Sequence, residues 1–175
     1  MEIKKIVTGA LDENCYVLIK DNNCLVIDPG ADYIKIREEI GDNKVLGVLI
    51  THSHFDHIGA LRNFLTKRSI KIFKRSNLDE KEYSVGDFKF KAIHTPGHSK
   101  DSVTFYFEED NAMFVGDFIF EGSIGRVDLP GGSNSEMIDS LKKFLDTNND
   151  YNIYPGHGEF TTLNKEKENN PYINL

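Results

Sequence analysis

The sequence predicts a mixed α/β domain in which sheets are covered by helices. Three observations lead there: short apolar or alternating runs of strand length, single stretches of helical spacing set between them, and no repeat or low-complexity segment that would mark a boundary. A length of 175 residues suits one domain and suffices to bury a substantial core.

Period-2 alternation opens the chain at 2–8, and comparable runs follow at 14–20 and 24–28. The third run ends in Asp28-Pro29-Gly30, where Asp28 reads equally well as a strand-ending turn residue or as support for a nearby site. Helical spacing follows over 32–40. The run Val45-Leu46-Gly47-Val48-Leu49-Ile50 reads as a buried strand within 45–51, and a second helical pattern spans 57–67. Strands are predicted over 70–74, 87–94, 102–108 and 112–116. A third helix, over 134–146, has the clearest start, because Ser133-Asn134-Ser135-Glu136 matches a capping box that would satisfy orphan amides. The polar tail from Asn164 to Asn170 reads as a short helix or an extended end.

Composition excludes several classes of function. Hydrophobic residues make up 39% and charged residues 28%, as in ordinary globular chains, and no apolar run approaches the roughly 20 residues of a membrane span. Met1-Glu2-Ile3-Lys4-Lys5 leads straight into alternation rather than into a secretory signal, so a soluble, cytoplasmic protein is expected. Cys15 and Cys24 lie in apolar strand-like runs and read as small buried residues, not as a disulfide framework. A net charge of −7 disfavours a nucleic-acid partner, with only a local basic patch at Lys67-Arg68 and Lys71, Lys74 and Arg75.

Chemistry concentrates in Thr51-His52-Ser53-His54-Phe55-Asp56-His57, at the exit of the buried strand. Residues two apart on extended chain point the same way, so His52 and His54 can converge on one ion, while a turn would aim Asp56 and His57 at a second. Three later segments each place one donor in a glycine-containing turn after a strand-like run: Thr95-Pro96-Gly97-His98, Gly116-Asp117 and Tyr154-Pro155-Gly156-His157-Gly158. Any one of them alone would read as structural. Together they bring five of the six histidines and two carboxylates to strand ends, where α/β sheets form their sites. Imidazole and carboxylate suit zinc first, with iron and manganese also compatible. Two such ions about 3.5–4 Å apart can activate a shared water and polarise a carbonyl.

The order His-x-His-x-Asp-His, then Gly-His, Gly-Asp and Pro-Gly-His-Gly, resembles the metallo-β-lactamase superfamily across nearly the whole chain. That resemblance implies an αββα sandwich with the site at one edge of its two sheets. It also implies two divalent metal ions per chain: His52, His54 and His98 on one, Asp56, His57 and His157 on the other, Asp117 bridging, with Asp56 and Asp117 as the catalytic carboxylates. Asn14-Cys15-Tyr16, Asp28-Pro29-Gly30, His94-Thr95-Pro96-Gly97-His98 and Gly125-Arg126-Val127-Asp128 look like glyoxalase II, the hydroxyacylglutathione hydrolases. The implied reaction is hydrolysis of a small-molecule thioester such as S-lactoylglutathione by a metal-bound hydroxide. Typical glyoxalase II carries a C-terminal helical domain with glutathione contacts, whereas this chain ends soon after His157, so the nearer likeness is to compact, single-domain members whose thiol carrier can differ.

Arg126 is the candidate substrate-binding residue, able to take a carboxylate bidentately; a loop-stabilising pair with Asp128 is the equal alternative. His94 reads as a supporting histidine with no catalytic step. The main rival function is a mononuclear iron persulfide dioxygenase, whose members usually show Pro-Ala-His-Asp where this chain has Pro-Gly-His-Gly. A phosphodiesterase or nuclease fits an acidic chain less well. β-Lactamases usually carry cysteine or serine at the position of Asp117. Electron-transfer relatives with a flavin domain usually carry glutamate at the position of His54.

Overall fold

Alternation along the strands buries one face of each sheet against the other and leaves a second apolar face for helices to cover. In a computed structural model, which describes residues 1–66, 69–147 and 149–173, this pattern resolves into two sheets and a short hairpin. The first sheet runs in the order β1 (Glu2–Thr8), β2 (Glu13–Lys20), β3 (Asn23–Ile27), β4 (Lys44–Leu49) and β5 (Lys71–Phe73). Its first three strands are antiparallel neighbours, and β3, β4 and β5 are parallel.

The second sheet is built from β6 (Glu82–Val85), β7 (Phe88–His94), β8 (Val103–Phe107), β9 (Ala112–Gly116), β12 (Asn152–Pro155) and β13 (Thr161–Thr162). Its spatial order is β13-β12-β9-β8-β7-β6, with β12 parallel to β9. The hairpin of β10 (Ile119–Phe120) and β11 (Ser123–Ile124) stands apart.

Three apolar layers follow from the side-chain period of two. Between the sheets, Leu25, Ile27 and Leu49 meet Phe88, Phe90, Phe105, Phe107 and Phe114. Outside the first sheet, Val17, Val26 and Val48 pack on Ile36 and Ile40 of α1 (Tyr33–Ile40). Outside the second, Tyr106, Met113, Val115 and Ile153 pack on Met137, Leu141 and Phe144 of α3 (Asn134–Leu145). The layer order is helix, sheet, sheet, helix. Cys15 and Cys24 are buried with free thiols, and burial pushes Cys24 up to about 12.

Several elements differ from the sequence reading. The helix expected over 57–67 is only α2 (Phe55–Ile58) followed by a 3-10 turn over Leu61–Asn63, because the Ala60 amide donates to Pro29 O instead of continuing the helix. A Cβ at Gly59 would also strike the Gly30 carbonyl, so the chain crosses too closely there for a regular turn. Strand β6 carries inward Tyr83 and Val85 on a short charged edge, a weak signal by sequence alone. The tail forms α4 (Leu163–Asn169), capped by Thr162. At α3 the Ser133 hydroxyl accepts from the Glu136 amide, which is half of the expected capping box. In the basic patch, Lys71, Lys74 and Arg75 lie on and after β5, while Lys67 and Arg68 fall outside the described residues. Among the described residues, no helix is long and apolar enough to cross a membrane.

Candidate metal centre

Five strands deliver their donors to one edge of the sandwich. The C-terminal ends of β3 and β4 supply Asp28 and the 52–57 segment, and those of β7, β9 and β12 supply His98, Asp117 and His157. After β4 the chain bends at Thr51, is extended at His54, and then turns into α2, where the His57 amide donates to His54 O at 3.0 Å. That turn brings Asp56 and His57 into a second group beside the first, with the His57 ring centroid 4.1 Å from that of His52. The two sheets are tied at this edge by β2: the Asn14 amide donates to Gly156 O, its side chain to Pro155 O and Gly158 O, and the Tyr16 hydroxyl to Pro155 O.

All seven predicted donors come together, in two groups. His54 Nδ1 lies 3.1 Å from His52 Nε2 and 2.9 Å from His98 Nε2. In the other group, Asp56 Oδ2 lies 3.3 Å from His157 Nε2 and 3.8 Å from His57 Nε2. Asp117 stands between them: Oδ1 is 3.3 Å from His57 Nε2, and Oδ2 is 3.5 Å from His98 Nε2 and 3.7 Å from His157 Nε2. Gly156 is required by this closeness, since a Cβ there would collide with Asp117 Oδ1 and the His57 ring.

The donor set fits divalent cations. Four imidazoles have their outer nitrogen Nδ1 beside a protein oxygen: His52 by Thr51 Oγ1, His57 by Asp28 Oδ2, His98 by Arg126 O and His157 by Leu11 O. A proton on each Nδ1 leaves the Nε2 lone pairs converging on a common space, the arrangement seen when outer partners orient metal-binding histidines. Inside that space, His57 Nε2 and Asp117 Oδ1 are buried with no hydrogen-bond partner, which is costly unless a cation fills the gap. Burial, and then the charge of His57, hold His52 well below the usual histidine range. Burial likewise lowers His98. For His57 burial acts in the same sense, but the Asp117 and Asp28 carboxylates outweigh it and raise its pKa. Burial works against ionised Asp117 too, yet the nearby His57 imidazole, 3.3 Å from Oδ1, holds it low.

Asp28, His52 and His57 also lie close enough to be considered as a ligand group. Asp28 is already occupied, however, accepting from the Thr51 amide, the Thr51 hydroxyl and His57. The support role is therefore the one its geometry allows, and its positive φ of 47° makes it the turn residue as well.

Glu13 is a residue the sequence reading missed. Its Oε1 is buried without a partner 3.8 Å from His57 Nδ1, and its Oε2 accepts from Thr8 Oγ1 at 2.7 Å. Burial, then the charge of Asp28, push it up to about 9. The one available signal was an acidic residue at the head of an otherwise apolar strand. His94 lies apart, with Nε2 3.1 Å from Leu78 O. Arg126 is exposed on the cavity wall and forks onto Asp128 with two contacts of 2.7 Å.

The profile of the Metallo-beta-lactamase superfamily matches residues 8–82 and 76–157. The chain belongs to the metallo-β-lactamase superfamily. Among curated relatives, it is 30% identical to the probable metallo-hydrolase YqgX of Bacillus subtilis, over 99% of this chain and 98% of that one. It is 30% identical to the hydroxyacylglutathione hydrolase GloC of Haemophilus influenzae, over 99% of both chains. Among solved structures it resembles BLEG-1, described as a B3 metallo-beta-lactamase, with a TM-score of 0.94, 30% identity and 99% and 100% coverage. TTHA1623 in a di-iron-bound form gives 0.86, 30%, and 97% and 99% coverage. ETHE1 from Myxococcus xanthus gives 0.87, 25%, and 98% and 84% coverage. The superfamily and the histidine–aspartate cluster together imply divalent metal ions and an enzyme.

Proposed function

We propose that this chain is a dinuclear metal-dependent hydrolase that cleaves a thioester, S-lactoylglutathione or a related thiol conjugate. The observation that carries the reading is the Asp117 carboxylate, set within 3.7 Å of nitrogens from both donor groups. His52, His54 and His98 would hold one ion, Asp56, His57 and His157 the other, and Asp117 would reach both. Zinc is the first choice for such donors, with iron or manganese also suited. When bound, the ions supply Lewis acidity, which activates water at neutral pH and polarises the thioester carbonyl.

The chain's own residues set up this chemistry. Thr51, Asp28, Arg126 O and Leu11 O fix the imidazole tautomers, so the ring nitrogens facing the centre keep their lone pairs. A departing thiolate needs little proton donation, because a thiol has a pKa of about 8.5. In keeping with this, among the described residues the cavity wall carries no carboxylate beyond the donor set itself. Arg126 would meet an anionic end of the thiol after releasing Asp128. The relatives named hydroxyacylglutathione hydrolase support the choice of a thioester.

The test uses purified protein of measured metal content, assayed without oxygen for thiol release from S-lactoylglutathione. Turnover is the expected result. Oxygen uptake with glutathione persulfide in its place would establish the dioxygenase, and opening of a β-lactam as the preferred reaction would establish a lactamase.

A further inference from the structure

The space above the metal centre has walls that are mostly apolar. It is an open cavity of about 890 Å³. Pockets of about 300–1,000 Å³ take ligands of drug-like size, far more than a lactoyl group requires. Beyond the donor residues and Arg126 its walls are mainly apolar, with side chains from four separate segments: Leu11 in the β1–β2 turn, Phe55 at the start of α2, Phe120 on β10, and Leu129 with Pro130 ahead of α3. Leu11 is 53% exposed and Phe55 75%, in a chain that buries most of its large apolar side chains. Scattered exposed apolar residues need no explanation, but a concave group beside a reactive centre marks a place for an apolar ligand.

Charge on the walls leads the same way. Among the described residues that line the cavity, Arg126 is the one arginine or lysine, and both arms of its guanidinium fork are taken up by Asp128. A glutathione conjugate brings two carboxylates and one ammonium, and for its two carboxylates this wall offers one guanidinium, free only after that pair opens. Transfer of a hydrocarbon chain onto Phe55, Phe120 and Leu129 meets no such obstacle and removes apolar surface from water on both sides.

We propose that the thioester selected here carries an extended hydrocarbon arm, which lies along the Leu11–Phe55–Phe120–Leu129 walls and supplies most of the binding. The assignment rests on the thioester-hydrolase reading for its reaction but on the cavity alone for its specificity.

Two measurements on the metal-loaded protein separate these. Calorimetry with S-methyl-, S-butyl- and S-octylglutathione, thioethers that cannot be hydrolysed, should show affinity rising about two- to fourfold per methylene. Phe55→Ser and Leu129→Ser should each flatten that slope, whereas Ile34→Ser, at an exposed apolar residue of α1 away from the cavity, should keep it. Thiol release from acetyl, butanoyl and octanoyl thioesters of glutathione should rise in kcat/KM with the same trend. Affinity that is flat or falls from methyl to octyl overturns the apolar arm, and hydrolysis of all three thioesters at equal kcat/KM beside such flat binding would leave the hydrolase standing without it. A steep binding slope with no thioester cleaved would uphold the arm and remove the hydrolase.

Discussion

Asp117 does what no other side chain in the cluster does, because its two oxygens face different donor groups while one of them lies buried without a hydrogen-bond partner. Asp117→Asn preserves the shape and one oxygen but removes the charge that would balance two cations. Metal affinity and hydrolysis should both fall, by at least about a hundredfold, the upper end of what loss of a merely supporting partner costs. Asp139→Asn on the exposed face of α3 makes the same charge change far from the cluster and should leave both unchanged. Normal turnover in Asp117→Asn would take this residue out of the mechanism. Arg126 poses a different question, since its pair with Asp128 is exposed on both sides. Exposed pairs are weak, so opening this one costs little. Arg126→Ala should raise KM for S-lactoylglutathione by up to about fivefold with kcat nearly constant, and Asp128→Asn should lower KM by freeing the guanidinium. Unaltered KM in both variants, with a lowered melting temperature, would make the pair purely structural.

At the scale of elements, the His157 loop depends on β2 although it follows β12. Asn14 is buried and binds Pro155 O and Gly158 O through its side chain, so the loop is held from the opposite sheet. Asn14→Ala would leave those carbonyls without their donors, a loss of about 1–3 kcal/mol. Weaker metal retention in the Asp56–His57–His157 group should accompany it, measurable as a drop in metal content after dialysis, with the first group retained. Equal loss from both groups would show that Asn14 acts on the whole fold instead. This tie explains which parts of the site were legible in the sequence. His52, His54, Asp56, His57, His98, Asp117 and His157 each advertise themselves locally, at a strand end or beside glycine. Glu13 does not, because its significance comes from the approach of β2 to His57. The helix expected over 57–67 failed for the same kind of reason: apolar spacing at Ile58, Leu61 and Phe64 is helical, but the Ala60 amide is claimed by Pro29 O from another part of the chain. Strand periodicity was legible wherever both faces are buried, as in β8 and β9, and least so at the short charged edge β6.

For the whole molecule, the donors are divided between the sheets, with the 52–57 segment following the first and His98, Asp117 and His157 following strands of the second. Cations bound among them would therefore clamp one end of the sandwich, whereas the layer between the sheets is built mainly from apolar side chains. The unfolded chain holds no such preformed donor set, so metal binding adds to folding stability. An ion present at a thousand times its dissociation constant contributes about 4 kcal/mol. In a chain of this length that moves the melting temperature by roughly 10 °C. Chelation should lower the melting temperature accordingly, and titration of zinc back into the metal-free protein should raise it until two ions per chain are bound by elemental analysis. His54→Ala and His157→Ala should each reduce the stoichiometry to one, since each removes a donor from a different group. A wild-type protein saturating at one ion, with the His157→Ala variant unchanged in metal content and melting temperature, would refute the dinuclear centre and turn the reading towards a mononuclear oxygenase.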